Sequence, residues 1–197
     1  METITIELKK ADLIKIHKQL TPCMSKEQTR DYLCGVCLDY SNGELKAVAT
    51  NGHLLGKITF KDIAVKSDSD FNVILPAALI KKLSIIKMLK SETQPLEGEY
   101  DATITIEGLN VSIECDGNSF SDGLIEGIFP DYERAIPDLT DPAVEISFSP
   151  AYLMQVAKAA KDVGEVCIKF TIKDGTTAMR IDLQNEEGMF VLMPMEF

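Results

Sequence analysis

The chain has 197 residues, of which 45% are hydrophobic and 26% charged, and its net charge at pH 7 is −11. This length suits one large domain or two small ones, and the composition is that of a globular protein. The N-terminus, Met1–Thr5, has neither a basic start nor an apolar core, and no apolar run is long enough to cross a bilayer, so no signal peptide or membrane span is predicted. Five scattered cysteines favour the reducing cytoplasm over a disulfide framework.

One pattern is predicted three times along the chain: a strand, a helix and three further strands. The first copy opens with Thr3–Leu8, whose alternation of apolar and polar residues predicts a half-buried strand. A helix follows over about Lys9–Leu20 and ends at Pro22, with Leu13, Ile16 and Leu20 on one apolar stripe. Asn and Gly pairs predict hairpin turns between the later strands. Those strands are expected at Tyr32–Tyr40, Glu44–Thr50 and Leu54–Phe60.

The second copy repeats this order. Phe71–Leu75 is its first strand, and Pro76 suits the first turn of a helix that runs to about Lys90. Its remaining strands are expected at Tyr100–Glu107, Leu109–Cys115 and Ser119–Ile125.

The third copy begins with a predicted strand at Val144–Phe148, and Ser149 is a suitable N-cap for a helix that Gly164 ends. One face of this helix is predicted to be apolar, with Tyr152, Leu153, Val156, Ala160 and Val163. The last strands are expected at Val166–Ile172, Ala178–Leu183 and Met189–Met193. The unit repeats about every 65–70 residues, and each copy has one helix on a small antiparallel sheet. This pattern predicts an α+β repeat architecture with the helices on one side of the sheets.

The segment Ile125–Pro137 lies between the second and third copies and contains two prolines, Pro130 and Pro137. Proline cannot donate to a ladder and forces the residue before it into an extended conformation, which disfavours a central strand. Composition alone fits a plain connector. The alternative is an ordered strap packed between two bodies, because a loose linker has no need of Phe129, Tyr132 and Ile136.

Lysines are concentrated in the predicted helices. The windows Lys9–Leu20, Pro76–Lys90 and Ser149–Val163 contain ten lysines and two acids, a net charge of +8, so the rest of the chain carries −19. This distribution fits two interpretations. Basic helices on an acidic body present a positive surface to phosphates, or lysine simply favours exposed helical positions.

Residue patterns typical of catalysis are scarce. Cys34 and Cys37 have the spacing of a redox pair, but they lie in a predicted strand with no helix start nearby, which favours core cysteines. The two histidines, His17 and His53, have no ligand spacing around them, which disfavours zinc. No glycine-rich phosphate loop and no nucleophile with a recognisable partner is found. A non-enzymatic protein without a cofactor is therefore predicted.

Four segments, in this order, resemble the bacterial sliding clamp, the beta subunit of DNA polymerase III: Asp31–Val36, Val48–Leu55, Gly127–Pro137 and Val191–Met195. Each alone is weak, but four in the right order with matching elements between them are specific. The resemblance implies a DNA-clamp-like fold in which residues 1–137 correspond to the family's middle domain. Residues 138–197 then form a half domain similar to the C-terminal part of its last domain. It leaves no counterpart here for the family's first domain.

In that family the helices line the hole of a ring, so the resemblance implies that lysines face double-stranded DNA and contact it independently of sequence. The DNA-facing residues implied are Lys15, Lys18, Lys81, Lys82, Lys87, Lys158 and Lys161. The family's ring holds two chains of six units. With three units per chain, four chains would supply the same number, so a homo-oligomer is expected. A clamp loader and a cytoplasmic location are also implied.

The family also has an apolar pocket that receives a short peptide from polymerases and other clients. The peptide-binding residues that the resemblance implies are Thr50, Gly52, His53, Leu54, Leu55, Pro130, Arg134, Ala135, Val191, Met193, Pro194 and Met195. Methionine suits such a site because it adapts to varied anchors. Leu54 replaces an arginine usual in the family, Asn51 an aspartate, and Glu196-Phe197 a terminal Arg-Leu, so client preference is expected to differ. The loss of arginine predicts less tolerance of acidic residues beside the anchors.

Two functions follow from this resemblance. The first is a sliding clamp, a processivity factor that holds client proteins on DNA. The second is a clamp-like adaptor or decoy that binds the same peptides without encircling DNA. An unrelated enzyme on the same fold is disfavoured by the scarcity of catalytic patterns.

Overall fold

The computed structural model describes residues 3–87, 96, 98–137, 145–173, 177–184 and 188–195. The chain divides into two compact units, Met1–Asp131 and Tyr132–Phe197. This division falls inside the predicted strap, a few residues before the predicted domain boundary after Pro137. In the described part of the chain, no helix is long and apolar enough to cross a membrane.

The strands of the first unit form two antiparallel sheets. They are β1 (Thr3–Leu8), β2 (Gly35–Ser41), β3 (Glu44–Thr50), β4 (Leu55–Thr59), β5 (Ala64–Lys66), β6 (Phe71–Pro76), β7 (Ala102–Glu107), β8 (Asn110–Cys115) and β9 (Asn118–Gly123). One sheet has the order β5-β1-β7-β8-β9 and the other the order β4-β3-β2-β6. Strand β5 was not predicted, since three residues are too few to show a pattern.

The two copies of the repeat in this unit exchange their first strands. Strand β1 of the first copy pairs with β7 of the second, with Ile6 opposite Ile104. Strand β6 of the second copy pairs with β2 of the first, with Ile74 opposite Cys37. Each sheet therefore contains strands from both copies, and neither copy forms a complete sheet alone.

The two α-helices of the unit are short, and each continues as a helical segment of another type. Helix α1 (Lys10–Lys15) continues as a π-helical segment, Ile16–Leu20, so the predicted helix keeps its expected extent. Helix α2 (Ala77–Lys82) continues as a 3-10 turn, Leu83–Ile85, and Ile86 is already extended. The prediction that this helix runs to Lys90 is wrong at Ile86. The helix ends early because Ile85 and Ile86 are consecutive β-branched residues, which lower helix propensity. Residues 88–90 lie outside the described part.

The core of the first unit lies between these helices and both sheets. The side chains that the helices bury are no more than 1% exposed: Leu13, Ile16, Leu20, Leu79, Ile80 and Leu83. They belong to one cluster with the sheet residues Ile6, Leu38, Leu75 and Ile104. For the first helix, the burial of Leu13, Ile16 and Leu20 is the apolar stripe that the spacing of these residues predicts.

Two glycines permit close packing in the first unit. A Cβ atom at Gly35 would collide with the carbonyl oxygen of Leu75 on the paired strand. A Cβ atom at Gly56 would lie 2.9 Å from both Leu20 and the sulfur of Cys23, so β4 can pack closely against the end of the first helix. The predicted strand at Tyr32–Tyr40 begins only at Gly35, because residues 28–33 form 3-10 turns that Cys34 ends.

The second unit contains helix α3 (Pro150–Asp162) and a three-stranded antiparallel sheet of β10 (Ile168–Thr171), β11 (Met179–Leu183) and β12 (Met189–Leu192). Its core is small: Met179, Ile181 and Leu192 are buried, and Leu153 and Val156 of α3 pack against them. The predicted apolar face of α3 is covered only in part, since Tyr152 is 56% and Val163 66% exposed.

The segment before α3 differs from its prediction. Residues 145–148 do not form the strand expected at Val144–Phe148, and Val144 itself lies outside the described residues. Ser147 instead makes one isolated antiparallel bridge to Met195. In the first unit, the first strand of each copy is held in place by pairing with a strand of the other copy. The second unit contains one copy only, so it offers residues 145–148 no such partner.

Candidate functional site

The turn between β3 and β4 contains five of the predicted peptide-binding residues, Thr50 and Gly52 to Leu55. Thr50 and Leu55 are paired at the ends of the two strands, and Gly52 has a positive φ of 89° that favours glycine. The Thr50 hydroxyl donates to the carbonyl of Leu54 at 3.0 Å and accepts from the N–H of Gly52 at 3.1 Å. The turn is thus held by its own side chains, with His53 and Leu54 directed to solvent.

Asn51 holds the other half of this turn. Its side-chain oxygen accepts from the N–H groups of His53 and Leu54, each at 2.9 Å. An aspartate, the residue usual in the resembling family, would offer the same acceptor with a negative charge added. The sequence difference at this position therefore keeps the turn and changes only its charge.

Arg30 and Glu27 lie beside the same turn and were not among the predicted site residues. The Arg30 guanidinium donates to the Glu27 carboxylate at 2.8 Å, and Arg30 Nη1 lies 4.0 Å from the position that a Cβ atom at Gly52 would take. The hydrogen bond and charge of Arg30 lower the pKa of Glu27, with a smaller contribution from His53. Sequence spacing could not show this, because Arg30 reaches the turn through the tertiary fold.

The strap Ile125–Pro137 begins against the first unit. The N–H of Ile125 donates to the carbonyl of Ile74 at 2.9 Å, and a Cβ atom at Gly127 would lie 3.0 Å from the Cβ of Tyr32. Phe129 and Tyr132 are both only 6% exposed, as expected of a packed strap and not of a plain connector. Two predicted site residues on the strap, Pro130 of the first unit and Arg134 of the second, are exposed.

The remaining predicted peptide-binding residues belong to the second unit. Ala135 lies with Arg134 in a single 3-10 turn, Glu133–Ala135, and is exposed. Val191 is 59% exposed on β12, Met193 is 67% and Met195 55% exposed, and Pro194 is half-buried. Strand β12 ends at Leu192, so Met193 lies beyond the last strand. The backbone of Met195 is anchored, since its N–H donates to the carbonyl of Ser147 at 2.8 Å.

The seven lysines predicted to face DNA are all exposed. Five of them have no acidic partner among the residues that the structure describes: Lys18, Lys81, Lys87, Lys158 and Lys161. Lys18 and Lys87 line a groove of about 400 Å³ between the two helical segments of the first unit, together with His17. His17 Nδ1 lies 3.1 Å from the carbonyl oxygen of Ile80, which connects the two segments.

Other lysines of the helical windows are neutralised. Lys82 lies 3.4 Å from Asp122 of β9, and Lys15 lies 2.8 Å from Asp12 one turn earlier in α1. Two further lysines pair with acids of the sheets and loops: Lys9 with Asp62 at 2.6 Å and Lys10 with Asp116 at 2.7 Å. The net charge of the windows therefore overstates the positive surface that the helices present.

The comparison with protein families decides the assignment. Residues 7–131 match the family described as DNA polymerase III beta subunit, central domain. This chain belongs to that family. The matched residues include both helical segments of the first unit and the turn at Thr50–Leu55.

Relatives of this family agree in sequence. The beta sliding clamp of Lactococcus lactis is 28% identical over 175 residues, which cover 87% of this chain and 43% of that protein. The beta sliding clamp of Treponema pallidum is 30% identical over 136 residues, which cover 68% of this chain and 34% of that protein. The chain thus spans less than half the length of the curated relatives it matches.

Solved structures agree in fold. The chain is similar to the Helicobacter pylori beta clamp bound to a DNA ligase peptide, with a TM-score of 0.77 at 18% identity, over 98% of this chain and 50% of that one. The beta chain of DNA polymerase III from Streptococcus pneumoniae gives a TM-score of 0.71 at 25% identity, over 100% of this chain and 50% of that one. The predicted α+β, clamp-like fold is confirmed.

Proposed function

We propose that this chain acts as a DNA sliding clamp, which holds client proteins on DNA and catalyses no reaction itself. The observation that supports this most is the match of residues 7–131 to the family's central domain, together with a clamp fold over nearly the whole chain. The relatives that it matches are beta sliding clamps. On this proposal residues 1–137 act as a middle clamp domain and residues 138–197 as half of a last domain.

The proposed DNA contacts are made by the exposed lysines of the helices. The five without acidic partners in the described part of the chain meet phosphates through water and their mobile side chains. Lys15 and Lys82 contribute less because Asp12 and Asp122 compete for them. Phosphate contacts carry no sequence information, so the protein moves along the duplex. The acidic remainder of the chain disfavours binding elsewhere on its surface.

The proposed peptide contacts come from each unit. In the first unit the rigid turn presents His53 and Leu54, with Arg30 beside it as an additional positive group. In the second unit the exposed side chains of Met193 and Met195 supply adaptable apolar surface. Fully burying one peptide Leu or Phe contributes about 1.5–3 kcal/mol, so two or three anchors, less the ordering cost, give an affinity on the order of micromolar.

Leu54 leaves the turn without the family's usual arginine, yet Arg30 supplies a positive charge near it. Arg30 is already paired with Glu27, so its charge is partly neutralised. The proposal therefore keeps reduced tolerance of acidic residues beside the peptide anchors. Leu54→Arg is expected to improve binding of an acid-flanked peptide more than that of a neutral one.

The test is fluorescence polarisation with a labelled peptide of the glutamine-then-leucine-phenylalanine type that the family's clients carry. Binding in the micromolar range by the full chain, lost in Leu54→Asp and retained in Thr59→Asp, supports the proposal. Thr59 is a matched control because it is exposed at the far end of β4, the strand that begins directly after Leu54. Absence of binding at hundreds of micromolar contradicts the peptide-binding role. Peptide binding without any lysine-dependent DNA binding favours the adaptor over the clamp.

A further inference from the structure

We infer that the second unit binds the second unit of another copy of this chain, by exchange of the segment before α3 onto the outer edge of β10. This interface goes beyond the proposed clamp activity, because it concerns how the chain assembles. The first unit already contains an arrangement of this kind, because its two copies of the repeat each pair their first strand with the sheet of the other copy.

In the first unit, a first strand has two neighbours. Strand β6 pairs along one edge with β2 of the other copy, and Ile74 stands opposite Cys37. On its other side Ile74 bridges Ile125, which follows the last strand of its own copy, and the Ile125 N–H donates to the Ile74 carbonyl at 2.9 Å. One neighbour therefore belongs to the same copy and one to the other copy.

The second unit contains the same-copy half of this arrangement. The N–H of Met195, which follows the last strand, donates to the carbonyl of Ser147 at 2.8 Å. Ser147 stands two residues before the helix N-cap Ser149, and Ile74 stands two residues before the N-cap Pro76. Ser147 is thus the counterpart of Ile74. Among the described residues of the second unit, its segment has no strand from another copy of the repeat to pair with, and such a strand would complete a regular β-strand there.

The acceptor edge is also present. Strand β10 has the place in its copy that β2 and β7 have in theirs, directly after the helix, and those two strands each receive the first strand of the other copy. Among the described residues, β10 is paired only with β11 and its outer edge has no neighbour. An uncovered edge strand is a template for pairing with another chain.

Apolar side chains near this edge remain exposed. Phe170 of β10 stands opposite the buried Ile181, hence on the helix-facing side of the sheet, yet it is 51% exposed. A shallow cleft of about 160 Å³ between α3 and β10 is lined by Ala157, Ala160 and Ile168. In the first unit, by contrast, the paired copies leave the core-facing residues of their helices fully buried. A domain with so small a core gains stability from a partner.

A second copy is the occupant because each chain carries both halves of the contact, the donor segment 145–148 and the acceptor edge of β10. A twofold arrangement uses both at once in both chains and closes on itself. The two α3 helices then meet near Tyr152 and Val163, as the two helical segments of the first unit meet where His17 lies against the carbonyl of Ile80.

The first test is the mass of the full chain by light scattering across micromolar concentrations. The expected result is twice the chain mass of 21.7 kDa, or an even multiple of it. Phe170→Asp places a charge in the contact and is expected to raise the dissociation constant about tenfold or more, halving the mass. Thr171→Asp is the matched control, since Thr171 is the next residue of β10, is exposed, and stands opposite Arg180.

Hydrogen exchange of the unmodified chain keeps the inference testable if Phe170→Asp does not fold by circular dichroism. The amides of residues 145–148 and 168–171 are expected to gain protection as protein concentration rises, whereas those of β3 do not change. A monomer at every concentration, a folded Phe170→Asp protein that assembles as the unmodified chain does, or protection independent of concentration overturns the inference.

Discussion

The side-chain oxygen of Asn51 accepts a hydrogen bond from the backbone N–H of Leu54 at 2.9 Å, so Asn51 fixes the conformation in which Leu54 is presented to solvent. A second bond of the same length, from the N–H of His53, ends on the same oxygen. The exposure of Leu54, at 50%, is therefore a property of a rigid turn and not of a loose one.

Asn51→Ala is expected to loosen this turn. Two hydrogen bonds are lost, each worth roughly 0.5–1.5 kcal/mol when buried and less at an exposed turn, so the free energy of unfolding falls by about 1 kcal/mol. Client-peptide affinity falls about fivefold, because the peptide must then order the turn. Denaturant unfolding and fluorescence polarisation measure the two effects. Asn51→Asp keeps the acceptor and should retain both properties; equal losses in both variants would contradict this role for the side chain.

Met193→Ser is expected to weaken peptide binding with little effect on stability. Met193 is 67% exposed and lies beyond β12, so its side chain is free to bury on a peptide, a contribution of about 1.5–3 kcal/mol or roughly tenfold or more in affinity. The point variant is a cleaner probe than deletion of residues 193–197, which also removes the bond from Met195 to Ser147. The control is Met189→Ser, at a methionine of the same unit that is 58% exposed. Equal loss of affinity in both variants would exclude a specific contact by Met193.

Reversal of charge at Lys81 and Lys87 is expected to weaken binding to duplex DNA and to abolish any stimulation of a polymerase. Neither lysine has an acidic partner among the described residues, so both are available to phosphates. The slope of log affinity against log salt is negative, and the loss of two phosphate contacts makes it shallower by about two. Fluorescence anisotropy with a labelled duplex at several salt concentrations measures this slope. The control with the same change in net charge is Lys26→Glu with Lys61→Glu, both exposed outside the helices; an equal effect of the control would show that only net charge matters.

The five cysteines are expected to differ sharply in reactivity. Burial raises the pKa of the Cys37 thiol to about 12, with Asp39 contributing further, so at pH 8 only about one thiol in ten thousand is ionised. Cys167 is exposed and should react first with a thiol reagent. Labelling followed by peptide mass analysis checks the order, and Cys37 should react only after unfolding. Rapid labelling of Cys37 in the folded chain, or a Cys34–Cys37 disulfide, would contradict the interpretation of Cys37 as a core residue.

The local sequence by itself determined most of the elements. Strands β3, β6 and β8 and helix α3 fall within a residue or two of their predicted bounds, because alternation and helical spacing are local properties that burial on one face imposes. The apolar stripe of the first helix is buried as predicted for the same reason. The resemblance of four short segments likewise indicated the family that the comparison of residues 7–131 shows.

Only the tertiary structure decided which strands pair. The repeat pattern is equally compatible with three separate sheets, yet β1 and β6 pair with the other copy, since pairing between strands distant in the chain leaves no trace in local periodicity. The same holds for Arg30, which reaches the turn at Gly52, and for Lys82, which is neutralised by Asp122 from β9. Ion pairs and neighbours of this kind depend on contacts between residues far apart in sequence, and the energy that selects them exists only once the sheets and helices have packed.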